Sequence, residues 1–188
     1  MNDHDAEPRP GLPGAWDRLV GPGATALENL GTAGAALLGA AIGATSSASA
    51  WSRDPIRRGA AAVIGLDLFG GVWTNATPVA TRWYHGRGQG TREMVAFSAL
   101  HLHPFLVAAL YRDQNWRFAW GNYAYLLAAT ATVASTPAPL RRSAALALCC
   151  GGVWLNTAVW RPTRGMGWFA PAFFLKLLVS HAAGGTPK

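Results

Sequence analysis

Five apolar runs, near residues 60–81, 93–111, 116–135, 142–160 and 166–183, follow one another along the chain with short polar links between them. Each is about the 20 residues that an α-helix needs to cross the hydrocarbon core of a bilayer. The links hold arginines, prolines and glycines. Tryptophans gather at the ends of the runs, at Trp51, Trp83, Trp116, Trp160 and Trp168, as in an aromatic belt at a membrane surface. The pattern predicts an all-α, multi-pass transmembrane helical bundle of five or six spans.

The sixth span turns on residues 24–50. This stretch has no charge after Glu28, but its bulky apolar side chains are few: Leu27, Leu30, Leu37, Leu38 and Ile42. Gly31, Ala35, Gly39 and Gly43 recur every four residues and share one helical face. Small residues at that spacing let helices approach closely in lipid, which favours a tightly packed span over an amphipathic helix lying in the interface. Residues 1–22, with Asp3, Asp5, Glu7, Pro8, Pro10 and Pro13, read as a mobile polar tail without the basic and apolar regions of a cleavable signal. Residues 23–188 read as one transmembrane domain.

Composition supports this picture. Hydrophobic residues make up 51% of the 188 and charged residues 13%, a membrane-like balance that places the chain in a bacterial-type cell membrane with the lipid bilayer as its first partner. The net charge of +7 is mostly arginine in short clusters between the runs, where anionic headgroups are the counter-charge. No continuous basic helix or aromatic RNA-binding signature appears, so nucleic acid is not an expected partner. With five spans the two sides carry seven and six basic residues, so charge does not orient the chain. Cys149 and Cys150 are adjacent in an apolar run and have neither disulfide nor metal-ligand spacing.

One carboxylate, Asp67, stands inside an apolar run. Ionisable groups within a membrane are costly and mark sites or pairs. At ~1.5 Å rise per residue, with alternate spans antiparallel, Asp67, Asn122 and Asn156 fall at ~10, ~9 and ~9 Å from one face. Lys176 and His103 fall at ~15 Å, His101 at ~18 Å and Asn75 at ~22 Å on the same scale. Asp67, Asn122, Asn156 and Lys176 are therefore expected near one level. They would form either a polar pocket with Asp67 as proton donor or acceptor, or an Asp67–Lys176 ion pair with the asparagines as interhelical links.

His101 and His103 are two residues apart and would point to nearly opposite faces of a continuous helix, although Pro104 permits a kink. Glu93, His101, Asp67 and His85 would make a carboxylate–imidazole set. No second HxxH or ExxH element supports it, so core or interface histidines are expected and no metal site is assigned. His101 or His103 with His181 is a weaker bis-histidine haem pairing. The link from Arg82 to Glu93 alternates three glycines with Arg82, Arg87 and Arg92. With His85 it could cradle a phosphate, or it is a basic turn against lipid headgroups.

The function expected from these features is a small integral-membrane enzyme. It would apply acid–base chemistry to a lipophilic, for instance isoprenoid, small molecule, with Asp67, Asn75, Glu93, His101 and His103 as catalytic candidates. The sequence names no cofactor. The alternative is a non-catalytic subunit that packs with other membrane subunits and holds a haem, pigment or lipid.

Overall fold

The computed structural model describes residues 7–51, 54–84, 90–111 and 115–183, with the side chains of residues 47–51 excepted. Every regular element among them is helical: α1 (Gly11–Val20), α2 (Ala26–Trp51), α3 (Pro55–Asn75), α4 (Pro78–Tyr84), α5 (Thr91–Ala99), α6 (His103–Leu110), α7 (Trp116–Ser135), α8 (Ala138–Leu155) and α9 (Phe169–Phe174). The last two continue as π-helix, over Asn156–Trp160 and Leu175–Ala182. Two stretches are long and apolar enough to cross a membrane, Thr91–Leu110 (α5 and α6 together) and Ala138–Trp160 (α8 with its π segment). The stretch Phe169–Ala182 is apolar and shorter.

Local chemistry sets the ends. The Asp54 carboxylate accepts from the Ile56 and Arg57 amides at 3.0 and 3.3 Å, and Pro55 supplies the first turn of α3. The same helix stops at Asn75 because Pro78, which has no N–H, starts the next one. The run expected as one span at 60–81 is thus α3 plus the start of α4. Asn115 caps α7 by accepting from the Phe118 amide at 3.0 Å. At the other end the buried Arg141 guanidinium donates to the carbonyls of Thr136 and Ala134 at 3.4 Å each.

The core lies around α9. Phe169, Phe173, Phe174, Leu177 and Leu178 are fully buried. Pro171 and Leu175 are its exposed positions. α3, α7 and α8 pack directly on this helix. α5 and α6 reach it through the ring contacts Phe97–His181 and His103–Phe173. A helix buried on nearly every side is the centre of a bundle rather than part of its wall.

α2 packs on the outside of α3, and backbone meets backbone there. A Cβ at Gly65 would lie 2.1 Å from the Gly39 carbonyl oxygen, and one at Gly43 would lie 2.1 Å from that of Ala61. The every-fourth-residue face read from the sequence is therefore the α2–α3 contact, with a Thr32–Thr74 hydroxyl hydrogen bond of 3.0 Å at one end. The opposite face of α2 exposes Leu27, Leu30, Leu37 and Leu38.

The expected tail at 1–22 is corrected over its second half. Residues 11–20 are α1, held because Asp17 accepts from the Arg9 backbone at 2.9 Å and from its guanidinium at 2.7 and 2.8 Å. Trp16 Nε1 donates to Asn29, and Trp83 Nε1 and the Tyr84 hydroxyl donate to the last carbonyls of α1. Residues 1–6 lie outside the described residues.

Two predictions follow from this packing. Gly65→Ala should lower the stability of the purified protein by about 1–3 kcal/mol in thermal unfolding, the usual cost of overpacking. Gly34→Ala, where a Cβ meets nothing within 4 Å, should leave it unchanged or slightly raised. The second concerns pH. The Arg9 hydrogen bonds hold the Asp17 carboxyl down from 3.8 to about 2. A lowered carboxylate pKa stabilises the folded form above the unfolded value, and that stability is lost as pH falls through the folded one. The docking of α1, read by Trp16 and Trp83 emission, should hold down to a pH of 3.8 and be lost toward about 2. Asp17→Asn should remove this transition.

Candidate functional site: an Asp67–His103–Lys176 cluster

Asp67 sits midway along α3, one helical turn before Gly71. A Cβ at Gly71 would fall 2.3 Å from Lys176 Cε and 2.7 Å from its Cδ, so the missing side chain is the channel through which Lys176 crosses α3. The Lys176 ammonium then donates to Asp67 Oδ2 at 2.6 Å. From the other side His103 Nε2–H donates to the same oxygen at 3.0 Å. A carboxylate only accepts, so the proton of that bond is on Nε2. His103 Nδ1 is buried and has no hydrogen-bond partner among the described residues.

His103 reaches Asp67 because the chain breaks just before it. Pro104 cannot donate to the Leu100 carbonyl, so the helix ends at Ala99 and restarts at His103. Between them the His101 amide donates to Ser98 and the Leu102 amide to Leu100, both at 3.0 Å. This corrects the expectation that His101 and His103 face opposite ways. Their rings stack with centroids 5.6 Å apart and planes at 27°. His101 Nδ1–H donates to the Phe97 carbonyl at 2.8 Å, which fixes its ring.

Phe97 continues the column, 4.7 Å from His101 and stacked at 4.0 Å on the buried His181. Lys176 and His181 are five residues apart on the π segment of α9. A π-helix bonds i to i+5, as Ala183 N–H to Leu178 O does at 3.0 Å, so residues five apart share one face. Lys176 and His181 therefore both turn toward the α3–α5–α6 side.

The three cluster members differ in access. The side chain of Asp67 is 42% open, that of His103 17% and that of Lys176 6%. Both donors use Oδ2. Among the described residues Oδ1 accepts no hydrogen bond, and it is not one of the fully buried polar atoms.

The other expected site residues are placed elsewhere. Asn75 ends α3, about 12 Å of helix rise beyond Asp67, buried and with its amide nitrogen unpartnered among the described residues. Glu93 caps α5 by accepting from the Gly90 amide at 2.7 Å, and it is exposed. Arg82 and Arg92 are exposed at helix ends, while His85 and Arg87 lie outside the described residues. The four-residue layer resolves into two pairs. Asn156 Nδ2 donates to Asn122 Oδ1 at 3.0 Å, Asn122 Nδ2 donates to Phe118 O at 2.8 Å, and no described hydrogen bond joins this pair to Asp67 and Lys176. Among the described residues no three of His, Cys, Asp and Glu converge to hold a metal ion. A haem between His101 and His181 does not fit either, because Phe97 packs on both imidazoles.

Sequence reasoning missed Gly71 and Phe97. The signal for the first was a glycine one turn after the acid in the apolar run. For the second it was an aromatic four residues before His101. No family model, no curated protein and no solved structure matches this chain.

The pairing makes a prediction. Asp67→Asn leaves the buried Lys176 ammonium without its counter-charge, and the usual loss for such a break is about 3–5 kcal/mol. Lys176→Met should cost less, because Asp67 is half open. Asp67→Leu with Lys176→Met, an apolar replacement of the pair, should recover most of the loss of Asp67→Asn in thermal unfolding. Equal instability of the single and double variants would refute the ion pair as the element that joins α3 to α9.

Proposed function

We propose that this chain is a small integral-membrane protein of several spans that performs acid–base chemistry on a lipophilic molecule at Asp67. Support for the membrane comes from the sidedness of the bundle. Leu27, Leu30, Leu37, Leu38, Val63, Leu100, Trp120 and Trp154 are all more than half exposed. Asn122, Asn156, Ser98, Thr130, Lys176 and His181 are buried inside. Apolar outside with hydrogen-bonded polar pairs inside is the arrangement suited to lipid, where small residues and interhelical hydrogen bonds replace the hydrophobic effect. On this view α2, α3 with α4, α5 with α6, α7, α8 and α9 are the spans.

The observation that carries the chemistry is the division of labour within one carboxylate. Oδ2 takes both donors, and Oδ1 takes none among the described residues of a side chain that is 42% exposed. The buried Lys176 ammonium is engaged at Oδ2 at 2.6 Å, and on this reading the other oxygen is the base. His103 shares Oδ2 through a 3.0 Å bond. It braces that oxygen from the side opposite Lys176, and its Nδ1 has no hydrogen-bond partner among the described residues. Asp67 is the catalytic residue; His103 and Lys176 position and charge it.

A second reading, a non-catalytic subunit of a membrane complex, draws on the outer face of α2, where Leu27, Leu30, Leu37 and Leu38 are exposed. Comparison of lipids separates the two. Wild type, Asp67→Asn/Lys176→Met and His103→Gln are expressed, and total membrane lipids are compared by mass spectrometry. The double variant removes the base without stranding a charge, and glutamine at 103 keeps a donor to Asp67 but removes the imidazole. Catalysis predicts a lipid conversion in wild type that is absent in the double variant and at least about 10²-fold slower with His103→Gln. Identical lipid profiles in all three would overturn it in favour of the subunit.

A further inference from the structure

We infer that the molecule met by Asp67 is a neutral, hydroxyl-bearing lipophile that approaches sideways along α3 and donates its O–H to Asp67 Oδ1. The inference rests on the membrane placement and the base proposed above, and it adds the class of ligand and its route.

The route follows from the exposed residues that flank Asp67 and His103 along their helices. On α3, Val63 lies one turn before Asp67 and is 66% exposed, and the adjoining Leu66 is 46% exposed. On the other side of the bond to His103, Leu102 and Leu106 are 49% and 51% exposed. One turn after Asp67, Gly71 carries no side chain outward, and its inward space is taken by the Lys176 stem. Asp67, 42% exposed and midway along α3, is therefore a polar group between exposed apolar side chains, on the flank of its helix rather than at an end. In hydrocarbon an acceptor at such a place requires a donor.

The head group follows from charge. Asp67 and Lys176 sum to zero, with the ammonium buried behind the carboxylate and engaged at 2.6 Å. A phosphate or carboxylate head would meet the negative oxygen first, with no unengaged cation of the cluster to receive it. An ammonium head would be attracted, but it would leave the site with a net positive charge in lipid. A neutral hydroxyl satisfies the open acceptor and leaves the balance at zero. His103 is compatible with this, because its Nε2–H is already engaged with Oδ2.

The test uses the full-length protein in phosphatidylcholine nanodiscs with labelled 1-hexadecanol, competed by hexadecyl methyl ether, hexadecyl phosphate or hexadecylamine. The expected result is saturable binding of the alcohol, with the ether and phosphate at least about tenfold weaker, the scale of one lost hydrogen bond to a charged acceptor. Val63→Trp, a change at an exposed position that leaves the cluster intact, should weaken the alcohol by a similar factor. An ether that competes as well as the alcohol overturns the donor requirement. A phosphate or amine that competes better overturns the neutral class. Unchanged binding in Val63→Trp overturns the lateral route. Alcohol-selective binding combined with an unchanged lipid profile in the Asp67 variant would sink the catalytic reading and leave this inference standing. Loss of selectivity alongside a changed profile would do the reverse.

Discussion

A buried ammonium on the central helix is the constraint from which the rest of the arrangement follows. Lys176 lies on α9, which is enclosed by α3, α7 and α8. Its charge has to be met within the bundle, since leaving it unpaired costs several kcal/mol. α3 meets it with two residues one turn apart: Gly71 opens the way and Asp67 receives the ammonium at 2.6 Å. The pair fixes the rotation and height of α3 against α9 in a way that leucine packing alone does not. Once Asp67 is held, the break before His103 decides which imidazole reaches it. The π turns of α9 then place His181 on the side that already carries Lys176.

The remaining polar contacts repeat this logic without charge. Asn122–Asn156, Ser98–Thr130 and Thr32–Thr74 each join two helices through side chains at 3.0 Å. Each link satisfies groups that would otherwise be buried unpaired, at a cost larger than the bond itself is worth. The α2–α3 contact uses a different device, close backbone approach at Gly39, Gly43 and Gly65. Polar links register the inner helices, and small residues fasten the outer one. Neither device needs water to drive helices together, which is why both suit a bundle whose outside is apolar.

Helices were readable in the sequence to within a few residues wherever an apolar run was bounded by strong punctuation. α7 matches its run of 116–135 at both ends, because Asn115 caps it and Pro137 follows it. The breaks were less readable. Pro78 and Pro104 were visible, but whether a proline kinks or divides a helix depends on what its neighbours gain. At 103 the gain is a bond to Asp67 that lies far away in sequence. α1 was missed because its stability comes from Arg9, Asn29, Trp83 and Tyr84 rather than from its own pattern. For the site, depth along the helices brought Asp67 and Lys176 together correctly. It also merged them with Asn122 and Asn156, since a depth contains no azimuth, and it said nothing of the stacking of His101 on His103.

The sequence posed structure and chemistry as rival roles for Asp67, on the premise that a carboxylate paired with lysine is spent. The geometry removes that premise. Both internal donors bind one oxygen, and a carboxylate has two, with about four lone-pair directions between them. A pairing of Lys176 across both oxygens would have closed the group; the approach through Gly71 brings the ammonium to one of them. The ion pair supplies a counter-charge and a fixed orientation, while Oδ1 takes no hydrogen bond among the described residues. On the proposed reading, stabilising the fold and preparing that oxygen are two consequences of one contact. It follows that a variant which disturbs the lysine's path, such as Gly71→Ala, should affect folding and chemistry together, whereas a change at His103 should reach the chemistry with less effect on the fold.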